Sequence, residues 1–179
     1  MVLVLSGPVH AGKTTFLERA LPLWAARGLA CAGFVSPAVT DEDGRTGYDL
    51  VEITTGRRQP YLRRHGGPGA ERIGPFVFVP ETLERARTII REAGPSGLLV
   101  VDEVGPLELR GGGLWPALRD ALGAPGRTLL CVVREDIVEE FAARLAPLVP
   151  VVFDVGAADA RALLEERLFE TSRSHDGQS

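Results

Sequence analysis

Lysine is almost absent from this chain of 179 residues. Of its 20 basic residues, Lys13 alone is a lysine and all the others are arginine. A chain that uses arginine wherever a surface cation is needed has a specific reason for placing a lysine at one position. The ammonium group is a compact point charge that fits a tight cradle of phosphate oxygens, whereas the guanidinium group is planar and bulky. We therefore interpret Lys13 as a functional residue.

Cysteine is also scarce, because the chain contains only Cys31 and Cys131. A disulfide framework or a zinc site needs more cysteines or histidines at closer spacing, so both are excluded as organising features. Each cysteine lies inside an apolar segment. We expect both to be small buried core residues.

Long hydrophobic runs are missing too. A membrane-spanning helix needs about 20 consecutive apolar residues, and no stretch approaches that length. The short apolar start, Met1 to Ser6, does not resemble a signal peptide. The net charge of −4 gives no reason to expect nucleic acid or an anionic membrane as a partner. We expect a cytoplasmic protein, and the sequence makes no prediction about a protein partner.

The pattern of apolar residues predicts an α/β fold. Residues 2–6, 98–101 and 128–133 are apolar runs typical of buried strands, and helical periodicity separates them, as in residues 14–27. Strands that are apolar throughout indicate a mostly parallel sheet covered by helices on both faces. We expect one domain over residues 1–170, followed by a polar, disordered C-terminal tail over residues 171–179.

A second group of strands interrupts this alternation. Strand character in residues 48–54 and 56–62, after a turn cluster in residues 41–47, predicts a β-hairpin insertion. Residues 65–69 read as a Gly/Pro loop and residues 73–79 as one more strand.

The first chemical signature follows the first strand directly. Residues 7–14 fit the pattern G-x-x-x-x-G-K-[ST], known as the P-loop or Walker A motif. Its two glycines let the backbone curl so that successive N–H groups bind phosphate oxygens at the start of a helix. We call residues 7–15 the phosphate loop. The predicted nucleotide-binding residues are Gly7, Pro8, Val9, His10, Ala11, Gly12, Lys13, Thr14 and Thr15.

Two residues of the phosphate loop receive specific roles. Lys13 is predicted to reach the β- and γ-phosphates and to act in catalysis, and the Thr14 hydroxyl to ligate Mg²⁺. His10 occupies an unconstrained position of the motif. We interpret it as a loop side chain rather than as a catalyst.

An acidic pair gives the second signature, a Walker B motif. The apolar run of residues 98–101 ends in Asp102 and Glu103, and ligands of α/β sheets bind where strands end. Asp102 is predicted to hold the Mg²⁺ ion, directly or through water. Glu103 is predicted to polarise the attacking water as a general base, although it could instead pair with an arginine.

Phosphoryl transfer also gains from a cation near the γ-phosphate. Arg134 follows the predicted strand 128–133 and should emerge at the same edge of the sheet, so we predict a catalytic role for it. Arg110 is a second candidate. Arg57, Arg58, Arg63 and Arg64 read as a solvated face.

Taken together, these motifs resemble the small nucleoside-triphosphatase family first defined in thermophiles, which also has a cancer-related animal branch. The resemblance rests on the phosphate loop, on residues 33–35 and 44–49, and on residues 101–109. The last segment is similar to the family's D-E-I-G-x-M-E-L, with Val104 for Ile and Leu107 for Met. One departure is the stretch Ser36-Pro37-Ala38-Val39-Thr40, where the family usually carries a segment containing Thr, Glu and Arg.

The resemblance implies a RecA-like P-loop NTPase fold. It also implies Mg²⁺-dependent hydrolysis of nucleoside triphosphates to diphosphates with broad base tolerance, and Glu103 as the carboxylate that activates water. The substrate is expected to be ATP or GTP. The sequence does not distinguish the two, because it contains no base-specific motif.

Two other functions stay open at this point. The same loop serves small-molecule kinases, in which case residues 44–49 and 57–64 would supply an acceptor pocket and a lid. The protein could also be a slow nucleotide-gated switch or assembly factor.

Overall fold

The computed structural model describes residues 1–42, 44–66, 70–95, 97–122, 124 and 126–176. The strands within these residues are β1 (Val2–Ser6), β2 (Cys31–Val35), β3 (Ala38–Asp41), β4 (Gly44–Glu52), β5 (Arg58–Arg63), β6 (Arg72–Ile73), β7 (Phe76–Phe78), β8 (Leu98–Val104), β9 (Thr128–Val133) and β10 (Val151–Asp154). The α-helices within them are α1 (Lys13–Ala26), α2 (Pro80–Glu92), α3 (Pro106–Leu109), α4 (Trp115–Leu122), α5 (Val138–Arg144) and α6 (Ala160–Asp176).

Five parallel strands form the central part of the sheet, in the order β10-β1-β9-β8-β2. Strand β9 therefore lies between β1, which leads into the phosphate loop, and β8, which carries the acidic pair. All these strands end at the same edge of the sheet because they run parallel. The phosphate loop, the acidic pair and Arg134 are brought together at that edge, as the motif spacing predicts.

Helices cover both faces of the parallel strands, which confirms the predicted α/β architecture. Side chains alternate along a strand, so Leu3 and Leu5 of β1 pack on one face while Val2 and Val4 pack on the other. Helices α1 and α6 cover the first face, whereas α2, α4 and α5 cover the second.

Strand β2 approaches β8 very closely at Gly33. A Cβ atom there would lie 1.9 Å from the carbonyl oxygen of Val100, and the backbone φ of Gly33 is +104°. Only glycine suits both the conformation and the space. This contact explains why a glycine interrupts an otherwise apolar strand and holds β2 in register beside the acidic strand.

The predicted insertion is larger than a hairpin. Beyond β2 the sheet continues as β4-β5-β7-β6, with β3 paired to the N-terminal half of β4, and all these pairings are antiparallel. Two predictions were incomplete. The strand predicted over residues 73–79 is a tight hairpin of β6 and β7, and the departing stretch 36–40 leads into β3, which sequence reasoning missed. Part of the predicted loop 65–69 lies outside the described residues.

The C-terminal helix α6 extends to Asp176. It therefore runs past residue 170, the predicted end of the domain, into the predicted tail of residues 171–179. Residues 177–179 lie outside the described residues. Cys131 is buried as expected, whereas Cys31 is only partly buried. Within the described residues, no helix has the length and apolar character needed to cross a membrane.

Candidate active site

The phosphate loop connects the buried strand β1 to helix α1 by a sharp change of direction. Gly12 stands at the N-terminal cap of α1 with φ of +83°, a left-handed conformation that suits glycine. The first N–H groups of an α-helix have no partner within the helix itself, and Gly12 provides no side chain to accept their hydrogen bonds. An exposed helix start of this kind binds anions.

Lys13 folds across the loop that precedes it. Its Nζ atom donates hydrogen bonds to the carbonyl oxygens of Gly7 at 2.7 Å and Pro8 at 2.8 Å. Partial burial lowers the pKa of Lys13, while the carboxylates of Glu103 and Asp102 oppose that shift. The ammonium group is therefore held between the loop and the acidic pair, where a γ-phosphate would need a cation.

The surrounding pocket has a volume of about 330 Å³ and joins the predicted elements. The predicted residues that line it are Val9, His10, Ala11, Gly12, Lys13, Thr14, Thr15, Asp102, Glu103 and Arg134. Gly7 and Pro8 form the base of the loop, where they accept the Lys13 hydrogen bonds. His10 adopts φ of +72° at the exposed tip of the loop.

Thr14 and Asp102, the two predicted metal ligands, are in direct contact, since the Thr14 side chain is hydrogen-bonded to the Asp102 carboxyl group. Burial raises the pKa of Asp102 to about 6, against the hydrogen bonds from Ser36 and Thr14 and with the help of the nearby charges of Glu103 and Glu18. A divalent cation at this position would favour the ionised carboxylate.

Ser36 orients Asp102, a role that sequence reasoning missed. The Ser36 N–H donates to Oδ2 of Asp102 at 2.8 Å, and the Ser36 hydroxyl donates to the Asp102 carbonyl oxygen at 2.9 Å. Both residues are buried. Ser36 directly follows β2, the strand that Gly33 holds against β8, so the close approach at Gly33 also positions the carboxylate that is predicted to bind the metal.

Glu103 reaches the pocket through a distortion of β8. Successive residues of a strand point to opposite faces, yet Asp102 and Glu103 both line the pocket. The pairing with β9 shifts register between Asp102 and Val104, and Glu103 has φ of +101°. A β-bulge of this kind re-aims one side chain. Strained backbone at a non-glycine residue is characteristic of functional positions.

The electrostatic surroundings of Glu103 suit a base. Burial raises its pKa, as does the nearby Glu108, whereas the positive charges of Lys13, Arg134 and Arg45 counteract that shift. A general base is most effective when its pKa lies closer to the working pH than that of an ordinary carboxylate. Three cations around a single carboxylate also give a place where the charge of a transferring phosphoryl group can be stabilised.

The strain at Glu103 leads to a stability prediction. Glu103→Gly and Glu103→Ala both remove the carboxylate, but glycine alone tolerates φ near +100° without a steric penalty. We expect the glycine variant to exceed the alanine variant in free energy of unfolding by about 1 kcal/mol, which is about 2–4 °C in melting temperature. Thermal denaturation of both variants measures this difference. Equal stability, or a more stable alanine variant, would contradict the strained backbone.

Two arginines line the pocket beside Glu103, and they differ in their partners. Arg134 forms a two-pronged salt bridge with Asp136, with Nε 2.9 Å from Oδ1 and Nη2 in contact with Oδ2. Arg45, from strand β4, donates from Nη1 to the Tyr48 hydroxyl at 2.8 Å. Among the residues that the structure describes, Arg45 forms no salt bridge and its buried Nε has no hydrogen-bond partner.

Two other charged residues near the acidic pair, Arg110 and Glu108, do not line the pocket. Arg110 is at the end of α3. Glu108 is buried and its carboxylate accepts the N–H groups of Gly105 at 2.8 Å and Leu114 at 3.0 Å. It stabilises the turn that follows β8, and this accounts for its place in the motif of residues 101–109.

Seven pocket residues were not predicted as site residues, and four of them have polar side chains: Ser36, Arg45, Tyr48 and Glu18. A signal existed for two of them, since Arg45 and Tyr48 belong to the segment 44–49 that carries the resemblance. Ser36 and Glu18 gave no such signal. Ser36 belongs to the stretch that departs from the family pattern.

Comparison with known proteins agrees with this geometry. A family model described as NTPase matches residues 2–167, a span that contains the phosphate loop, the acidic pair and Arg134. The nucleoside-triphosphatase THEP1 of Hyperthermus butylicus is 32% identical over 171 residues, which is 93% of this chain and 88% of that protein. The cancer-related nucleoside-triphosphatase homolog of Bos taurus is 34% identical over 137 residues, 70% of this chain and 71% of that protein.

A solved structure supports the fold as well. The solution structure of a human cancer-related nucleoside triphosphatase has a TM-score of 0.70 and 28% sequence identity to this chain. The likeness covers 96% of this chain and 97% of that one. The overall fold is therefore shared across nearly the whole length of both chains.

Proposed function

The chain belongs to the nucleoside-triphosphatase family, and on that basis we propose that it hydrolyses nucleoside triphosphates to nucleoside diphosphates and phosphate with Mg²⁺. The observation that carries the proposal is the convergence of Lys13, Thr14, Asp102 and Glu103 in one pocket at the end of the parallel strands. These are the groups that phosphoryl transfer needs, since its catalysis consists mostly of positioning and charge stabilisation.

Each residue has a distinct task in this proposal. The N–H groups of the phosphate loop and the Lys13 ammonium group bind the β- and γ-phosphate oxygens. Glu103 accepts a hydrogen bond from water and aligns it behind the γ-phosphate, taking its proton as the bond to phosphorus forms. Arg45 and Arg134 stabilise the charge that spreads over the phosphoryl oxygens, and we rank Arg45 first because Asp136 already balances the charge of Arg134.

The residues at the acidic pair fit Mg²⁺. Hydroxyl and carboxylate oxygens are its preferred donors, and Thr14 and Asp102 supply one of each in contact. Among the described residues, no group of three or more His, Cys, Asp or Glu side chains is arranged to hold a metal. This agrees with an ion held by few protein ligands together with phosphate oxygens and water. When bound, the ion would neutralise charge on the β- and γ-phosphates.

A phosphate-release panel tests the reaction itself. Purified protein is incubated with ATP, GTP, CTP and UTP in Mg²⁺ buffer, and nucleoside diphosphate and free phosphate are both quantified. We expect equal amounts of the two products, and rates for ATP and GTP within about tenfold of each other, because the pocket residues surround the polyphosphate and not the base. Diphosphate formed without matching phosphate would show that the acceptor is not water.

Lys13→Ala is the control for this panel. It is expected to lose both nucleotide affinity and turnover while keeping the native circular dichroism spectrum, since Lys13 is only partly buried and does not belong to the hydrophobic core. Undiminished hydrolysis by this variant would trace the phosphate release to a contaminating enzyme.

Metal removal gives a separate prediction. Chelation of divalent cations should lower the rate by about 100-fold or more, with recovery on adding Mg²⁺. Thr14→Ala should raise the Mg²⁺ concentration for half-maximal rate by about tenfold or more, because it removes one oxygen donor. Thr15→Ala is a matched control, since Thr15 lines the pocket without contacting Asp102. An unchanged Mg²⁺ requirement in Thr14→Ala would argue against the assigned metal site.

A further inference from the structure

A second cavity opens beside the nucleotide pocket and has no role in the proposed reaction. Its volume is about 520 Å³. It shares six residues with the nucleotide pocket, which is the cavity of about 330 Å³ at the phosphate loop: Val9, His10, Arg45, Tyr48, Glu103 and Arg134. We call it the outer chamber. Its far side is formed by Thr40, Leu62, Arg64, Ile73, Pro75 and Phe76, all from the antiparallel extension.

The volume of the outer chamber is that of a small-molecule site. Water occupies about 30 Å³ per molecule, so a single attacking water does not require a cavity of this size. Pockets that bind metabolites and drug-sized ligands have volumes of about 300–1,000 Å³. The polyphosphate is assigned to Lys13 and the N–H groups of the phosphate loop, whereas Val9 and His10, at the tip of that loop, are the loop residues that line the outer chamber. The outer chamber therefore has room for a ligand other than the nucleotide.

The side chains that line the outer chamber indicate which class of ligand it binds. Arg64 is exposed and its Nε and Nη2 atoms both donate to the carbonyl oxygen of Arg45, at 3.0 and 2.7 Å. This contact ties the Arg64 guanidinium to the backbone of Arg45, and the side chains of both arginines line the outer chamber. Guanidinium groups that line one cavity are suited to a carboxylate or a phosphate.

The apolar part of the wall lies next to these cations. The rings of Tyr48 and Phe76 meet edge to face with centroids 5.4 Å apart, and the Arg64 guanidinium carbon lies 5.5 Å from the Phe76 centroid. Leu62 and Ile73 extend this surface. Leu62 and Phe76 are already buried, so the apolar area still open to a ligand belongs mainly to the half-buried Tyr48 and Ile73. An organic anion would bury that area, whereas an inorganic anion would not.

From this arrangement we infer that the outer chamber binds a small organic anion, with its carboxylate or phosphate group on Arg45 and Arg64 and its apolar body against Tyr48 and Phe76. A ligand there lies beside Glu103 and reaches the tip of the phosphate loop, since Val9 and His10 also line the outer chamber. It therefore slows hydrolysis by excluding water from Glu103 while the polyphosphate stays on the loop N–H groups and Lys13. That last consequence rests on the proposed function, whereas the binding site itself does not.

Direct binding of simple probes tests the proposal. Phenyl phosphate and benzoate present the two head groups on one ring, and benzamide is the uncharged counterpart. Each is titrated, by ligand-observed NMR and calorimetry, into protein saturated with Mg²⁺ and a non-hydrolysable triphosphate analogue. We expect at least one anionic probe to bind this complex and benzamide not to bind. The preference between phenyl phosphate and benzoate identifies the head group.

Matched variants locate the probe. Arg64→Gln should weaken binding by about tenfold or more, the effect of losing one charge-assisted contact. Arg58→Gln changes another exposed arginine of β5, which pairs with Asp49 at 2.7 Å, and should leave affinity unchanged. Thr40→Glu places a carboxylate opposite Arg45 in the β3–β4 register and should weaken binding similarly, whereas its neutral isostere Thr40→Gln should not.

Three results would overturn the inference: binding of neither anionic probe, displacement of the probe by the triphosphate analogue, or loss of binding in Lys13→Gln with retention in Arg64→Gln. If the analogue itself does not bind, the proposed function fails. The comparison of Arg64→Gln with Lys13→Gln in nucleotide-free protein then still decides whether the probe occupies the outer chamber or the phosphate loop.

Discussion

Glu103→Gln is expected to reduce the single-turnover rate of nucleoside-triphosphate hydrolysis by about 10²- to 10⁴-fold, the usual contribution of a positioned general base. Glutamine keeps the size and one carbonyl oxygen of the side chain but cannot take a proton from water. The dissociation constant for the magnesium nucleotide should change little, because Lys13 and the loop N–H groups bind the phosphates. Quenched-flow hydrolysis and an equilibrium titration separate these two effects.

A second carboxylate in the same pocket provides the control. Glu18, from helix α1, lines the pocket and lies close enough to Asp102 to help raise its pKa. Glu18→Gln makes the same chemical change without removing the proposed base, so it should lower the rate by less than about tenfold. Equal losses in the two variants would mean that Glu103 contributes only negative charge. A fully active Glu103→Gln would remove it from the mechanism.

Much of the site was predictable because local chemistry determines it. The phosphate loop needs its glycines and its lysine at fixed positions regardless of the rest of the chain. The apolar strands must be buried, and parallel strands deliver their carboxyl ends to one edge. The meeting of Lys13, Asp102 and Arg134 in one pocket follows from these two constraints.

The position of Glu103 shows where such reasoning stops. Strict alternation along β8 would send Asp102 and Glu103 to opposite faces of the sheet. Their meeting in one pocket depends on the register shift against β9 and on a backbone conformation that glutamate rarely adopts. Nothing in the local sequence signals this bulge, because it lies in the pairing of β8 with β9, two strands that are distant in the sequence.

The stretch that departs from the family pattern was hard to interpret for a similar reason. Ser36 binds Asp102 through its own backbone N–H as well as its hydroxyl. A hydrogen bond from a backbone N–H cannot be predicted from the residue type, because nearly every residue has that group. Arg45 lies 57 positions before Asp102 in the sequence. It reaches the pocket only because β4 pairs with β2, a long-range contact that periodicity cannot reveal.

Arg45→Ala is expected to lower the maximal rate of hydrolysis by about 10²- to 10³-fold, somewhat below the largest effects of arginines that stabilise phosphoryl transfer. Arg45 lies close enough to Glu103 to lower the pKa of that carboxyl group, and it forms no salt bridge with any described carboxylate. The loss should fall on the catalytic constant more than on the Michaelis constant, because a cation matched to the transition state contributes little to ground-state binding. Steady-state kinetics with ATP measures both constants.

Arg134→Ala is the matched comparison, because both arginines line the same pocket. Asp136 already forms a salt bridge with the Arg134 guanidinium, so the maximal rate of this variant should fall by no more than about tenfold. Asp136→Asn releases Arg134 and should not reduce activity if Arg45 is the principal cation. The ranking reverses if Arg134→Ala is the more damaging change. The salt bridge with Asp136 would then be a resting arrangement that nucleotide binding breaks, and Asp136→Asn would raise the rate instead of leaving it unchanged.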